Sequence, residues 1–133
     1  MNPKTVEQQK IIQLEVAAGA AISSFESTAL AVPRKRFQPV KKSGDLLLLM
    51  SDCYEVTPEY LLRPTVQEMP LVNVAAQVND FMQMFKNVPS LKQAKRLDID
   101  GKVACGKNVV VKGQLAVKKG EELVMEDGKT YGQ

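Results

Sequence analysis

The sequence contains no histidine and no tryptophan. Every mechanism that needs an imidazole base, a Ser-His or Cys-His pair, or a His-ligated metal is therefore closed to this chain's own side chains. Cysteine is nearly as scarce, with Cys53 and Cys105 far apart among apolar neighbours. That pattern suits reduced, buried thiols in a cytoplasmic protein better than a disulfide framework. Long apolar runs are also missing. Leu46 to Met50 is the longest aliphatic stretch, far short of the roughly 20 residues needed to span a bilayer. Residues 1–10 hold no apolar signal region, so no membrane association is expected.

What is present amounts to 133 residues, 44% apolar and 25% charged, enough for one domain or two small pieces. A net charge of +3 is too small to argue by itself for nucleic acid or a membrane surface. Its placement says more. Residues 1–90 carry nine basic and nine acidic side chains, and residues 91–133 carry nine and six, so the whole excess sits at the end.

Lys10 to Glu15 (KIIQLE) is a short apolar run compatible with a strand. Val16 to Glu26 is Ala-rich, with Ile22 and Phe25 three apart, and fits a helix in which Gly19 costs about 1 kcal/mol relative to Ala. Pro33 and Pro39 force Val32 to Val40 into strand or loop. Ser43 and Asp45 are N-cap candidates for a helix whose apolar face is Leu46, Leu49, Met50 and Cys53. Three prolines between Thr57 and Pro70 predict a connecting loop. Val74, Val78, Phe81, Met82 and Phe85 then mark an amphipathic helix, which must end before Pro89.

The most regular pattern lies at the end. Leu97, Val103, Val109 and Leu115 recur every six residues, and Ile99, Cys105, Val111, Val117 and Leu123 keep the same period two positions on. Positions two apart on a strand face the same way, so a six-residue period predicts a short left-handed parallel β-helix, with Gly101, Gly106, Gly113 and Gly120 at its corners. An antiparallel meander is the plainer alternative. A hexapeptide-repeat acyltransferase would share the period but resembles its relatives in using a His base, and there is none here.

Arg34, Lys35, Arg36, Lys41 and Lys42 place five cations within nine residues with no acid among them. On a stiff, proline-flanked segment they suit phosphate binding. A solvated basic loop and a nucleic-acid patch are the alternatives. The last is weakened because Phe37 is the only nearby aromatic able to stack on bases.

Several strings here resemble one family. Asn2-Pro3-Lys4, Ile12-Gln13-Leu14-Glu15 and Ala17-Ala18-Gly19-Ala20-Ala21-Ile22 come first. The sharpest is Val32-Pro33-Arg34-X-Arg36-Phe37-X-Pro39-Val40-Lys41, followed by Asp45-Leu46-Leu47-Leu48, and Gly106-Lys107-Asn108-Val109 with Lys112-Gly113 closes the set. In this order they resemble the C-terminal part of eukaryotic-type UTP-glucose-1-phosphate uridylyltransferases, also called UDP-glucose pyrophosphorylases. The resemblance implies an α/β nucleotidyltransferase fragment over residues 1–90, followed by a left-handed β-helix over 91–133. It implies the formation of UDP-glucose and pyrophosphate from UTP and glucose 1-phosphate with Mg2+, and Lys41 as the catalytic lysine that reaches the phosphates. Arg34 and Arg36 fall in the same motif as further phosphate-binding candidates, and no residue is assigned to a metal. In the family a preceding portion carries a Gly-rich nucleotide loop that is missing here, which predicts a fragment inactive by itself. The resemblance and the unpaired terminal rung near Val124 and Met125 both imply a homo-oligomer through the β-helix. A rival from another class is a non-catalytic β-helix assembly module whose basic loop binds an acidic partner.

Overall fold

A computed structural model of the chain describes residues 2–13 and 18–133, which fall into two units, Met1–Val32 and Pro33–Gln133. In the first unit the backbone reverses at Glu7 and Gln8, whose φ angles are 47° and 67°. Strands β1 (Asn2–Val6) and β2 (Gln9–Gln13) consequently pair antiparallel, with Val6 opposite Gln9. A two-residue connection with both φ values positive matches the natural twist of the strands it joins. The strand expected over Lys10–Glu15 thus begins one residue earlier, while Leu14 and Glu15 lie outside the described residues, as do Val16 and Ala17 of the expected helix. Residues Ala18–Ser24 form a 3-10 helix rather than an α-helix. Ile22 and Phe25 are exposed, and a short helix that buries none of its large apolar side chains gains little from packing.

The second unit opens with one 3-10 turn, Arg34–Arg36, in which the Arg36 N–H donates to the Pro33 carbonyl and the Phe37 N–H to the Arg34 carbonyl, both at 2.9 Å. Helix α1 (Ser43–Met50) comes next, with extended Lys42 as its N-cap. The deepest side chain of α1 is Leu47, fully buried, whereas Met50 is exposed, so the expected face through Leu46, Leu49 and Met50 is displaced. The displacement has a local cause. Gly44, on the same side as Leu47, lies against strand β5 (Leu71–Val74), where a Cβ at position 44 would stand 2.3 Å from the Val72 carbonyl oxygen. The helix rolls toward that contact because only glycine allows it.

Strands β3 (Tyr54–Val56) and β4 (Leu62–Pro64) form an antiparallel hairpin, β4 falling within the Thr57–Pro70 stretch expected to be a loop. After β5 comes α2 (Val78–Met84), shorter than expected because Val74 belongs to the strand. Phe81 is buried within it and Phe85 just after it, their rings 5.3 Å apart, while Val78 and Met82 are exposed. The remaining strands are β6 (Ser90–Ile99), β7 (Lys102–Cys105), β8 (Val110–Val117), β9 (Glu122–Met125) and β10 (Thr130–Tyr131).

The expected left-handed β-helix does not form. The parallel strands make one four-stranded sheet, ordered β10-β8-β6-β5, and a separate pair, β7 with β9. Strand β5, which precedes α2 in sequence, belongs to the larger sheet and pairs with β6 from Leu71–Arg96 to Val74–Ile99. Helix α1 packs on β5 and α2 on β7, giving a small α/β fragment built on a parallel sheet. The period misled because it reports which residues face inward, not how many sheets they line. Leu97 still stands beside Leu115, and Val103 beside Leu123. Leu97, Ile99, Val103, Cys105, Val109, Val111 and Val117 are buried, and Leu115 and Leu123 half-buried. Of the two residues expected near the edge of a terminal rung, Met125 is 1% exposed and Val124 69%.

One carboxylate ties the layers together. Asp52 accepts the Ser90 hydroxyl at 2.6 Å and the Leu91 N–H at 2.9 Å, while its carbonyl accepts the Thr65 hydroxyl at 2.5 Å. The end of α1, the β3–β4 hairpin and the start of β6 therefore meet at a single residue. Among the described residues no helix is long and apolar enough to cross a membrane.

Replacing Gly44 with Ala tests the seating of α1. Intrinsic helix propensity favours Ala by about 1 kcal/mol, but forcing a methyl into a packed contact costs about 1–3 kcal/mol. At a 2.3 Å approach to backbone the clash wins, and urea unfolding should show net destabilisation. Unchanged or raised stability would show that α1 does not lie this close to β5.

Candidate functional site

The second unit carries a groove of about 1340 Å3. Its walls are Val40 to Ser43 at the start of α1, residues 74–78 after β5, one side of α2, the β6–β7 turn at 100–103 and residues 120–122. Lys41 and Lys42 line one wall, and Asp80, Asp100, Glu121 and Glu122 contribute acids elsewhere around it. Lys102 also lines the groove, but its ammonium pairs with Glu122 at 3.0 Å. The ion pairs among the described residues are Arg63–Glu55, Arg96–Asp98 and Lys102–Glu122. None involves Lys41 or Lys42.

Three successive residues fix the wall that bears Lys41. The Ser43 hydroxyl donates to the Ala76 carbonyl at 2.6 Å, tying α1 to the loop after β5. Gly44 seats the helix on Val72. Asp45, at the third helical position, accepts the N–H of Lys41 at 2.9 Å and that of Lys42 at 3.0 Å, both on Oδ2. These two bonds, Lys41's first, hold the Asp45 carboxyl below its ordinary value of 3.8. The cap is therefore Lys42 with Asp45 reaching back, which differs from the N-cap role expected for Ser43 or Asp45.

Of the sequence-predicted site residues, the structure brings Lys41 to the groove and leaves Arg34 and Arg36 outside its lining. The Arg34 guanidinium lies 4.4 Å over the Phe37 ring, a cation–π contact worth about 0.5–1 kcal/mol at an exposed site. Asp80, Asp100 and Lys102 escaped the sequence reading because the groove gathers them from α2 and the β6–β7 turn, far along the chain from Lys41 and Lys42. The back-reaching Asp45 did leave a signal, an acid three residues after the residue that caps the helix.

A sequence model of the UTP-glucose-1-phosphate uridylyltransferases, which are nucleotidyltransferases, matches residues 1–112. The chain belongs to this family. It is 40% identical over 136 residues to the enzyme of that name from Hordeum vulgare and 41% identical over 137 residues to that from Solanum tuberosum; each alignment covers 96% of this chain and 29% of the relative. Solved structures agree. A UDP-glucose pyrophosphorylase mutant from Leishmania major in complex with UDP-Glc matches with a TM-score of 0.66 and 35% identity, over 99% of this chain and 31% of that one. A UDP-glucose phosphorylase from Trypanosoma brucei matches at a TM-score of 0.60 and 39% identity, over 97% and 31%. The chain thus spans about three-tenths of the length of these relatives.

The thiols play no part in this site. Cys53 is 0% and Cys105 7% exposed, and neither is in a disulfide. Burial raises both thiols above the ordinary value of 9.0, Cys105 to about 11, with a Ser51 hydrogen bond pulling the other way at Cys53. Both should resist a thiol reagent at pH 8 in the folded chain and react once it is unfolded in urea. Because the folded state keeps the Cys105 proton longer than the unfolded state does, stability from this group is intact below pH 9.0 and falls as pH rises through about 11. Rapid labelling of folded chain at pH 8 would contradict the burial.

Proposed function

We propose that this chain is part of a uridylyltransferase that makes UDP-glucose and pyrophosphate from UTP and glucose 1-phosphate. Lys41 is its phosphate-contacting, catalytic lysine, and residues 1–90 form the closing part of the catalytic domain. One observation carries the proposal beyond family membership: Lys41 stands on the groove wall at the entry to α1. In the proposed reaction a phosphate oxygen of glucose 1-phosphate bonds to the α-phosphorus of UTP as the bond to the departing pyrophosphate breaks. Negative charge grows on the oxygens around that phosphorus, and a fixed ammonium stabilises this charge more than that of the ground state. Lys suits the task as a compact point charge on a long stem. Arg34 and Arg36 are proposed as outer phosphate contacts, Arg34 with its plane set by Phe37.

Mg2+ is the expected cofactor of the complete enzyme. Among the described residues no three Asp, Glu or Cys side chains gather closely enough to hold a metal ion. These residues do not make a site for the ion unaided.

The test mixes this chain with a separately expressed polypeptide covering the preceding part of a relative and follows UDP-glucose formation. The chain by itself should show no turnover, and the mixture should. In the mixture Lys41→Ala should lower kcat at least about a hundredfold, the scale of losing one stabiliser of developing charge. Lys35→Ala should change little, since Lys35 is exposed on the 3-10 turn and does not line the groove. Equal, small effects of the two substitutions would favour a non-catalytic module whose basic loop binds an acidic partner.

A further inference from the structure

The least expected group beside the candidate lysine is a carboxylate. Asp45 puts a negative charge next to the residue proposed to receive phosphates, and the N–H groups of Lys41 and Lys42 hold its carboxyl below the ordinary value. On charge alone this opposes anion binding. Its geometry has a different effect. One oxygen, Oδ2, takes the N–H groups of two successive residues, Lys41 and Lys42, at 2.9 and 3.0 Å. Lys41 belongs to no strand or helix, and Lys42, the cap, is otherwise held through its carbonyl, which accepts the Asp45 and Leu46 N–H groups at 3.0 and 3.2 Å. Asp45 itself is held by a helix pinned through Ser43 to Ala76 and through Gly44 to β5.

We propose that Asp45 is a positioning residue for Lys41: its carboxylate fixes the Lys41–Lys42 backbone at the groove wall, so that the Lys41 ammonium meets a phosphate without first ordering its own main chain. The inference rests on the phosphate-contacting reading of Lys41. It explains why an acid stands where charge alone would exclude one, because fixing two backbone residues in advance outweighs a screened, solvent-exposed repulsion.

Charge and positioning predict opposite signs, and this makes the inference testable in the whole chain. Inorganic pyrophosphate is titrated into the wild type, Lys41→Ala, Asp45→Asn and Asp45→Ala, with the backbone amides followed by NMR and the melting temperature of each recorded. Asn retains an oxygen that accepts the two N–H groups and discards the charge, so it should bind pyrophosphate as tightly as wild type or tighter. Ala discards both and should weaken binding at least about fivefold, the scale of ordering one backbone residue. If both Asp45 variants bind more tightly, Asp45 acts only as a charge and the positioning role is overturned while Lys41 stands. If both weaken binding in step with a lowered melting temperature, the role is merely structural and the proposal also fails. If Lys41→Ala titrates like wild type, including no response from either, the phosphate reading of Lys41 falls and takes this inference with it.

Discussion

The approach of α1 to the backbone of β5 is the contact on which the arrangement of the groove depends. A helix can touch a strand's main chain this closely only where it has no side chain, and Gly44 provides that position against the Val72 carbonyl. One small residue has three consequences. Leu47 turns into the core, Ser43 comes within reach of the Ala76 carbonyl, and Asp45 is left facing back toward the incoming chain, where it takes the Lys41 and Lys42 amides. The strand below is itself held by four paired positions on β6. A lysine in an exposed segment thereby inherits the rigidity of a parallel sheet.

The far end of α1 is fastened by different chemistry. Ser51 donates its hydroxyl to the Leu48 carbonyl at 2.7 Å and accepts the Cys53 N–H at 3.3 Å, which ends the helix and turns the chain inward. Asp52 then bridges to Ser90 and Leu91 at the start of β6, 38 and 39 residues away. These are part-buried polar bonds, each worth more through the cost of leaving it unmade than through its net gain. Between the two fastenings lies an apolar core in which Phe81, Phe85, Leu47, Leu91 and Leu97 are all no more than 2% exposed. The sheet also closes at its end. Gly113 adopts a φ of 59° inside β8, and Gln114 exchanges N–H···O bonds with the terminal Gln133 at 2.8 and 3.1 Å.

Local signals in the sequence were legible and distant ones were not. Helices α1 and α2 could be placed from polar residues at the start of one and apolar spacing before Pro89 in the other, whereas the helix expected over Val16–Glu26 is 3-10 over Ala18–Ser24; the inward residues of the last strands showed through alternation. The face of α1 was misjudged by one residue, since periodicity weighs Leu46, Leu47 and Leu49 alike and cannot register that Gly44 must meet a strand 28 positions later. The β-helix was an over-reading of a true inward pattern, because two parallel sheets and a three-faced coil demand the same alternation. Lys41 was found only through resemblance, its motif standing out where composition offered just a basic cluster. The groove around it was invisible for a physical reason: Asp80, Asp100 and Lys102 come to line the same groove as Lys41 through sheet order and helix packing, which no single stretch of sequence encodes.

The central claim is that the seat of α1 on β5 holds Lys41 in place, and amide hydrogen exchange tests it most directly. In the wild-type chain the Lys41 and Lys42 amides should be protected although both residues are exposed, because each is bonded to Asp45. In Gly44→Ala, under conditions where the chain remains folded, protection at these two amides should fall sharply while the amides of β6 and β8 keep theirs. Wild-type protection persisting at Lys41 and Lys42 in that variant would contradict the account, since the lysine would then be held by something other than the seated helix.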